Sequence, residues 1–551
     1  MKKYHTLFLV VLVILFLALL SWFLPITYMK SELVEGDVTP VGIINLFSYP
    51  MFSFYNFIYV FLYLMGVGGL YGLLNKTGAY RLILDRVAKH VKGRELLCTI
   101  LTVLVISIII SFTGYTFEAL LILPFIAGVV LLLGYDKITA AMITVGSVSV
   151  GVIGNTFSKI VVGGFNEALE SVTYTDLIIP KVVVLLLCSG VLILNIVLHG
   201  RKVEKDTKPE AGFLLPEKVR ENSVKVWPLA TILIIMVLLL ILGQINWSAA
   251  FGISFFDNAL ASIKKWPVLS KYIVLTVGVL VILYNVLTSL YKRKKAAKKD
   301  EKLMSKRRKI VTICFGVIGG LALLKIMLED VFNATNIMSK FFEEIQVASI
   351  IDGFTFDKLL GSIVAFGSWS YNDYLTVVLL ACLAIKFVYH ITFEETLSNF
   401  GTGLKNVLYA CIVAILAYTV LIITSSHPIV LTILKPLLQL TDGLNILVYP
   451  FCSLISGLFN TDFAYFEYGV LNFTYATTYF TSAGVLPLVE FITQTMYGLA
   501  ILIAPTSVTL LFTLSILDIK YTTWLKKMLF TILEFLLVIF AAYVVIRLWI
   551  I

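Results

Sequence analysis

Residues 97–134 read LCTILTVLVISIIISFTGYTFEALLILPFIAGVVLLLG, and this stretch decides how the rest of the chain is interpreted. It contains two apolar runs separated by a polar interruption at residues 111–118, SFTGYTFE. Each apolar run has about fifteen residues, fewer than the roughly twenty that a membrane-spanning helix needs. The pattern therefore predicts a re-entrant hairpin, in which two short helices enter and leave the membrane on the same side.

The next apolar segment carries its own polar interruption, at residues 151–158, GVIGNTFS. Irregular backbone at membrane depth is tolerated only where protein or a water-filled cavity surrounds it, because an unpaired peptide group facing lipid costs several kcal/mol. Many transporters build a site near the bilayer midplane from such broken helices. We therefore predict half of a binding site here, between the hairpin tip and a broken helix at about residues 138–170.

The composition predicts an all-α polytopic membrane protein. The chain has 551 residues, of which 59% are hydrophobic and 14% charged, and its mean hydropathy is +0.97. Soluble domains are not this apolar over such a length. The six cysteines and five histidines show no metal-ligand spacing, so we predict no metal centre and no cofactor.

The net charge of +10 is concentrated in short hydrophilic loops, above all in residues 292–309, KRKKAAKKDEKLMSKRRK. Lys and Arg accumulate in cytoplasmic loops, and basic segments there attract lipid headgroups. We therefore expect membrane lipids as partners and no nucleic acid. The charge distribution predicts a multi-pass protein of the plasma membrane, with the N-terminus in the cytoplasm and the C-terminus outside.

The hydropathy pattern predicts about eleven transmembrane helices in addition to the hairpins. Residues 76–94 are expected to form an interfacial amphipathic helix, and residues 38–40, 393–406 and 428–443 are expected to lie in linkers. The predicted spans lie at about residues 7–25, 55–74, 138–170, 178–199, 226–242, 272–290, 310–328, 374–389, 407–424, 489–517 and 529–548.

The order of these elements predicts an inverted repeat. Residues 1–199 form the first copy, with its hairpin at about 97–134, and residues 373–551 form the second, with a hairpin at about 444–479. The second copy also has a broken helix, at about 489–517, and residues 200–372 supply the spans between the copies. Inverted repeats with broken helices at matching positions are typical of secondary transporters.

The candidate substrate- and ion-binding residues lie at the hairpin tips and the helix breaks. Their hydroxyl, amide and carboxylate groups, together with freed backbone carbonyls, suit Na⁺ or a carboxylate, although Ser and Thr in membrane helices also bond their own backbone. The candidates are Ser111, Thr113, Gly114, Thr116, Glu118, Gly154, Asn155, Thr156 and Ser158 in the first half, and Asn460, Thr461, Asp462, Pro505, Thr506 and Ser507 in the second. Any Na⁺ site is expected at Asn155, Thr156 and Thr506.

Charged residues near these sites have two interpretations each. In the first interpretation Glu118 binds a proton, Na⁺ or a substrate amine, and in the second it caps the hairpin tip. Because a carboxylate at mid-bilayer costs roughly 2.5–3.5 kcal/mol on insertion scales, such a group usually faces a cavity or a partner. Asp462 and Glu467 are analogous in the second hairpin, where Glu467 is as readily a solvated residue. Lys159 neutralises a substrate carboxylate or extends towards an interface.

Three short motifs resemble the YfcC-like branch of the C4-dicarboxylate anaerobic carrier family (DcuC type), within the ion transporter superfamily. They are GGLYGLLNKTGA at residues 68–79, GYDKIT at residues 134–139, and PTS at residues 505–507 followed by YTTWLK at residues 521–526. The resemblance implies elevator-type scaffold and transport domains in a homodimer. It also implies a Glu in the first hairpin tip, which Glu118 matches.

The second hairpin tip departs from the family pattern, since FNTD stands at residues 459–462 where Ser and Gly are usual. Relatives are also linked with amino acids, so the resemblance does not fix the solute. We predict a secondary active transporter of a small carboxylate or amino acid, coupled to Na⁺ or H⁺ or acting as an exchanger. The alternatives are a basic amino acid antiporter of the same fold and an ion channel. Motifs of intramembrane enzymes such as HExxH and GxSxG are absent, so we predict no enzymatic activity.

Overall fold

The computed structural model describes most of the chain, and its contacts divide the chain into two units. The first unit comprises Met1–Ile245 with Ser368–Ile551, and the second comprises Asn246–Gly367. Within the second unit, the described residues form two short antiparallel strands, Ser349–Ile351 and Phe354–Thr355. The described residues are 4–24, 26–29, 33–36, 39–168, 172–202, 212–220, 224–245, 349–351, 354–355, 369–427, 429–438, 444–459 and 485–549.

The first unit is built from helices, with one small antiparallel pair of strands, Ile26–Met29 and Leu33–Gly36, near its N-terminus. Its first ten helices are α1 (His5–Leu20), α2 (Ile43–Asn56), α3 (Ile58–Lys76), α4 (Ala79–Val91), α5 (Glu95–Thr113), α6 (Leu123–Leu132), α7 (Lys137–Ile153), α8 (Val162–Ala168), α9 (Ile178–Lys202) and α10 (Trp227–Gln244). The later described residues of this unit form α11 (Tyr371–Val388), α12 (Phe393–Ser426), α13 (Ile429–Leu438), α14 (Val448–Phe459), α15 (Leu486–Ile503), α16 (Val508–Leu517) and α17 (Tyr521–Trp549).

The helical lengths agree with a polytopic membrane protein. Within the described residues, eight segments are long and apolar enough to cross a membrane, among them α3, α9 and α10. Many apolar side chains on these helices are exposed, as expected where lipid is the solvent. The spans expected at residues 272–290 and 310–328 lie outside the described residues, so the count of about eleven stays a prediction.

The helix boundaries differ from the predicted boundaries at three points. Residues 43–56, which lie between the linker predicted at residues 38–40 and the span predicted at about residues 55–74, form a separate helix, α2. Residues 393–406, expected in a linker, form the first part of α12, because Thr392 and Glu395 make a reciprocal capping box and no proline follows them in the helix. The first arm of the predicted hairpin is α5, which has 19 residues and is long enough to cross a membrane, whereas α6 has only 10.

Helices α3 and α12 approach each other closely through glycines. Gly68 and Gly72 form a GxxxG pair on α3, and α12 places Gly403 against both of them. A Cβ atom added at Gly403 would overlap the backbone oxygen of Gly68. Small residues at such crossings let helix backbones pack directly, which is the main source of association between helices in lipid. The GGLYG part of the 68–79 motif therefore has a packing role.

Helix α7 begins and ends at defined points. Asp136 caps its N-terminus by accepting hydrogen bonds from the backbone N–H (2.9 Å) and hydroxyl (2.7 Å) of Thr139, and it pairs with His199 at 3.0 Å. Burial raises the pKa of Asp136, but the hydrogen bonds from His199 and Thr139 lower it more, so the pKa lies below its ordinary value. A π-helical turn at Met142–Gly146 interrupts the helix, and it ends at Ile153, inside the interval where the sequence predicts a break.

The Gly403→Ala substitution is expected to destabilise the protein by about 1–3 kcal/mol, the usual cost of overpacking a tight contact. The matched control is Gly401→Ala on the same helix, where an added Cβ would meet nothing within 4 Å. Thermal unfolding of the detergent-purified variants measures the difference. Equal melting temperatures for the two variants would contradict the close α3–α12 packing.

Candidate functional site

The break after α7 is held against the C-terminal end of α5. The hydroxyl of Ser111 donates to the carbonyl of Gly154 at 2.6 Å, and the backbone N–H of Thr156 donates to the carbonyl of Ser111 at 2.9 Å. A Cβ atom added at Gly114, which has φ +72°, would overlap Ser158. These contacts bring together five of the predicted site residues: Ser111, Gly114, Gly154, Thr156 and Ser158. The hydrogen bonds of Ser111 pair peptide groups that have no partner within a helix because the helix is broken here.

The second break separates α15 from α16 at residues 504–507. The freed carbonyls at the end of α15 are paired by the YTTWLK motif, since Trp524 donates its indole N–H to Leu502 at 2.8 Å and Tyr521 donates its hydroxyl to Ile503. Ser507 caps α16 by accepting from the N–H of Leu510. The hydroxyl of Thr506 donates to the carbonyl of Leu458 on α14 at 2.7 Å.

The two broken helices are joined directly where α7 packs against α15. The amide nitrogen of Gln494 donates to the carbonyls of Ile153 (3.4 Å) and Asn155 (3.3 Å). One helical turn away, the hydroxyl of Ser149 donates to the carbonyl of Gly498 at 2.7 Å. Gln494 is fully buried, so this amide bridges the first break from the opposite half of the chain.

Two buried amide oxygens lie beside this bridge. The side-chain oxygens of Asn155 and Gln494 are buried and have no hydrogen-bond partner among the described residues. A buried acceptor without a partner costs about 1–3 kcal/mol, and nearly all buried polar atoms of native structures are paired with protein groups or ordered water. Uncharged oxygens of this kind suit a cation or a hydrogen-bond donor.

One small cavity lies beside the turn after α5, and another lies beside the second break. One has a volume of about 20 Å³ and lies between residues 114–117 and Tyr371 of α11, and the other has about 10 Å³ and lies beside Ser507. Thr116 and Tyr497 line both cavities. A space of this size holds at most one water molecule or a bare cation.

Glu118 lies near tyrosines of α3 and α11 and is only 8% exposed. It begins a short 3₁₀ turn, Glu118–Leu121, and its backbone carbonyl accepts a hydrogen bond from the hydroxyl of Tyr63 at 3.3 Å. Its carboxylate also interacts electrostatically with Tyr115 and Tyr374, whose rings meet edge to face at 5.6 Å.

The other predicted site residues do not share one location. The hydroxyl of Thr113 bonds its own helix at the carbonyl of Ile109, 2.9 Å away. Thr506 bonds Leu458, as described above, and Lys159 is exposed. Pro505 lies in the second break itself. Asn460, Thr461, Asp462 and Glu467 lie outside the described residues.

Sequence reasoning missed the residues that connect the two halves. Besides Gln494, these are Lys181 of α9 and Glu490 of α15. The Nζ atom of Lys181 lies 2.9 Å from each carboxylate oxygen of Glu490, and both side chains are fully buried. The available signal was a Glu and a Gln four residues apart in an apolar run, which share one face of a helix. No group of three His, Cys, Asp or Glu residues suited to a metal ion is found in the part of the chain that the structure describes.

The chain was compared with known proteins in three ways. A family model described as DcuC, C4-dicarboxylate anaerobic carrier, matches residues 4–317 and so confirms the resemblance drawn from the sequence motifs. The search of curated proteins and the search of solved structures each found no match.

Replacing Lys181 by Met is expected to destabilise the protein by about 3–5 kcal/mol, because it leaves the Glu490 charge buried without its partner. The double variant Lys181→Met/Glu490→Leu is expected to recover most of this loss, since both desolvated charges are then removed. The control is Lys527→Met at an exposed position of α17. Thermal unfolding in detergent compares the wild type, Lys181→Met, the double variant and the control. If Lys181→Met were as stable as Lys527→Met, the role of the ion pair would be contradicted.

Proposed function

Because the chain belongs to the C4-dicarboxylate anaerobic carrier family, we propose that it is a secondary active transporter of a small organic carboxylate in the plasma membrane. The observation that carries this proposal is the meeting of two broken helices, α7–α8 and α15–α16, inside the protein. Transporters use such breaks to bind solutes and coupling ions near the midplane.

Cation coupling is the favoured mode of transport. Helices α7 and α15 both end at the breaks, and the C-terminal end of a helix carries a partial negative charge. The side-chain oxygens of Asn155 and Gln494, which have no hydrogen-bond partner among the described residues, lie beside the end of α7. A Na⁺ ion bound there is held by neutral oxygens and by Thr156, while the solute carboxylate binds towards the N-terminus of α16, near Ser507.

The proposed transport cycle requires movement of the elements around Tyr497. Cavities of about 20 and 10 Å³ are far below the roughly 300–1,000 Å³ of sites that enclose organic ligands. The residues 114–117 must therefore separate from α15 for a four-carbon dicarboxylate to bind. In the proposed cycle, α5–α6 acts as a re-entrant hairpin and moves with the broken helices against α3, α11 and α12, as in an elevator-like homodimer.

A second candidate function is exchange of basic amino acids. It is favoured by the electrostatic interaction of the Glu118 carboxylate with Tyr63, Tyr115 and Tyr374. A carboxylate next to aromatic rings provides both the counter-charge and the π surface that bind an ammonium group. In this case the substrate amine, rather than a coupling cation, interacts with Glu118.

Purified protein in proteoliposomes is expected to take up succinate under an inward Na⁺ gradient and to show counterflow with unlabelled succinate. Asn155→Ala is expected to raise the Na⁺ concentration for half-maximal uptake about tenfold, the effect of losing roughly 1.4 kcal/mol of binding. Asn406→Ala, at an exposed position of α12, is the control. Uptake of succinate that responds to neither a Na⁺ gradient nor a pH gradient would contradict cation coupling, and unitary currents would identify a channel.

The Glu118→Gln variant separates the two candidate functions. If the solute is a carboxylate, the variant is expected to retain succinate counterflow but to lose the dependence of uptake on external pH. If the solute is a basic amino acid, lysine counterflow is expected in the wild type and is lost in the variant. The control is Glu394→Gln on the exposed start of α12. Wild-type uptake and pH dependence in Glu118→Gln would exclude this residue from transport.

A further inference from the structure

A large cavity lies between α5 and α6, away from the two helix breaks. Its volume is about 810 Å³, well within the range of about 300–1,000 Å³ of sites that bind organic ligands. Helices α4, α7 and α9 contribute the other described walls. The site residues near Asn155 and Gln494 do not line it.

The lining of the cavity is apolar along most of its length. On α5 it extends from Glu95 to Ile106, and eleven residue steps at 1.5 Å each make it about 16 Å deep. This depth is close to half of the roughly 30 Å hydrocarbon thickness of a bilayer, and so to a single leaflet. Its apolar lining includes Leu101 and Val105 on α5 and Phe125 and Val129 on α6. A dicarboxylate does not fit such a wall, because a charged group buried there without a partner is strongly disfavoured.

Both Glu95 and Arg201 lie at one end of the cavity. Leu185 of α9 contacts Gly154, and the carbonyl of Gly154 is bonded to Ser111 of α5. Glu95 lies sixteen residues before Ser111 on α5, and Arg201 lies sixteen residues after Leu185 on α9. Both residues line the cavity, and they are reached from the same point, Gly154, by moving backwards along α5 and forwards along α9. The two helices therefore run in opposite directions along the cavity, and Glu95 and Arg201 lie at a similar distance from Gly154.

The rim at this end is strongly basic. The cavity is lined there by the last turn of α4, at Val91, and exposed cationic or titratable side chains surround this turn. Among the described residues, Arg201 and Glu95 are the charged residues that line the cavity itself, and the basic residues around this turn adjoin them in sequence. The basic rim consists of Lys89, Lys92, Arg94 and Arg201, with His90 beside them.

We propose that this cavity binds one acyl chain of an anionic phospholipid, with the phosphate of the headgroup at the basic rim. The depth of one leaflet, the apolar walls and the charge of the rim each match a part of this ligand. The bound chain fills the space between α5 and α6 and so supports the turn at residues 114–117 from behind. The inference concerns a lipid site and does not depend on which solute the protein transports.

Native mass spectrometry of the full chain, purified in detergent, tests the proposal with phosphatidylglycerol and phosphatidylcholine of identical acyl chains. The wild type is expected to retain phosphatidylglycerol in preference to phosphatidylcholine. Arg201→Gln is expected to weaken retention of phosphatidylglycerol about fivefold, the effect of one basic side chain worth about 1 kcal/mol at a membrane surface. Arg547→Gln, at an exposed position of α17, is the matched control and leaves retention unchanged.

A second pair of variants tests the cavity itself. Val105→Trp fills part of the cavity and is expected to reduce the retention of both lipids. Leu97→Trp is expected to leave the retention of both lipids unchanged. Val105 and Leu97 are equally exposed on α5, at 53% and 54%, but only Val105 lines the cavity. Equal retention of the two lipids by the wild type, or unchanged retention in Arg201→Gln, would overturn the proposal. So would equal lipid occupancy in the two Trp variants.

Discussion

Peptide groups released by a broken helix must find partners within the protein, because lipid offers none, and the arrangement around both breaks follows from this constraint. At the first break the partners come from the end of α5, through Ser111. At the second they come from the side chains of Tyr521 and Trp524. The motif at residues 521–526 thus has a direct physical reason, since two of its members satisfy the last carbonyls of α15.

Two further contacts hold the broken helices in register. Gln494 connects α15 with the backbone at the end of α7, and the ion pair of Lys181 with Glu490 connects α15 with α9. Glu490 and Gln494 lie one turn apart, so the ion pair also fixes which face of α15 meets the first break. A fully desolvated ion pair is costly to build, and such pairs are best understood as devices that select one arrangement among several.

Local signals were enough to locate the breaks but not their partners. Gly154 and Pro505 disturb a helix by their own chemistry, so the sequence alone indicated where α7 and α15 end. The residues that connect the halves are more than 300 positions apart, and neither spacing nor composition reveals such a pairing. The error at residues 393–406 had the opposite cause. These residues are polar enough to suggest a loop, but the capping box at Thr392 and the glycine contacts with α3 stabilise them as helix.

Tyr497 forms a common wall between the two small cavities beside Thr116. A displacement of this ring that enlarges one cavity also changes the space in the other. Occupants of the two spaces therefore influence each other's affinity without touching, and thermodynamic linkage requires that this influence be equal in both directions. Movement of a single aromatic side chain is in this way a route by which the filling of one compartment would alter the filling of its neighbour.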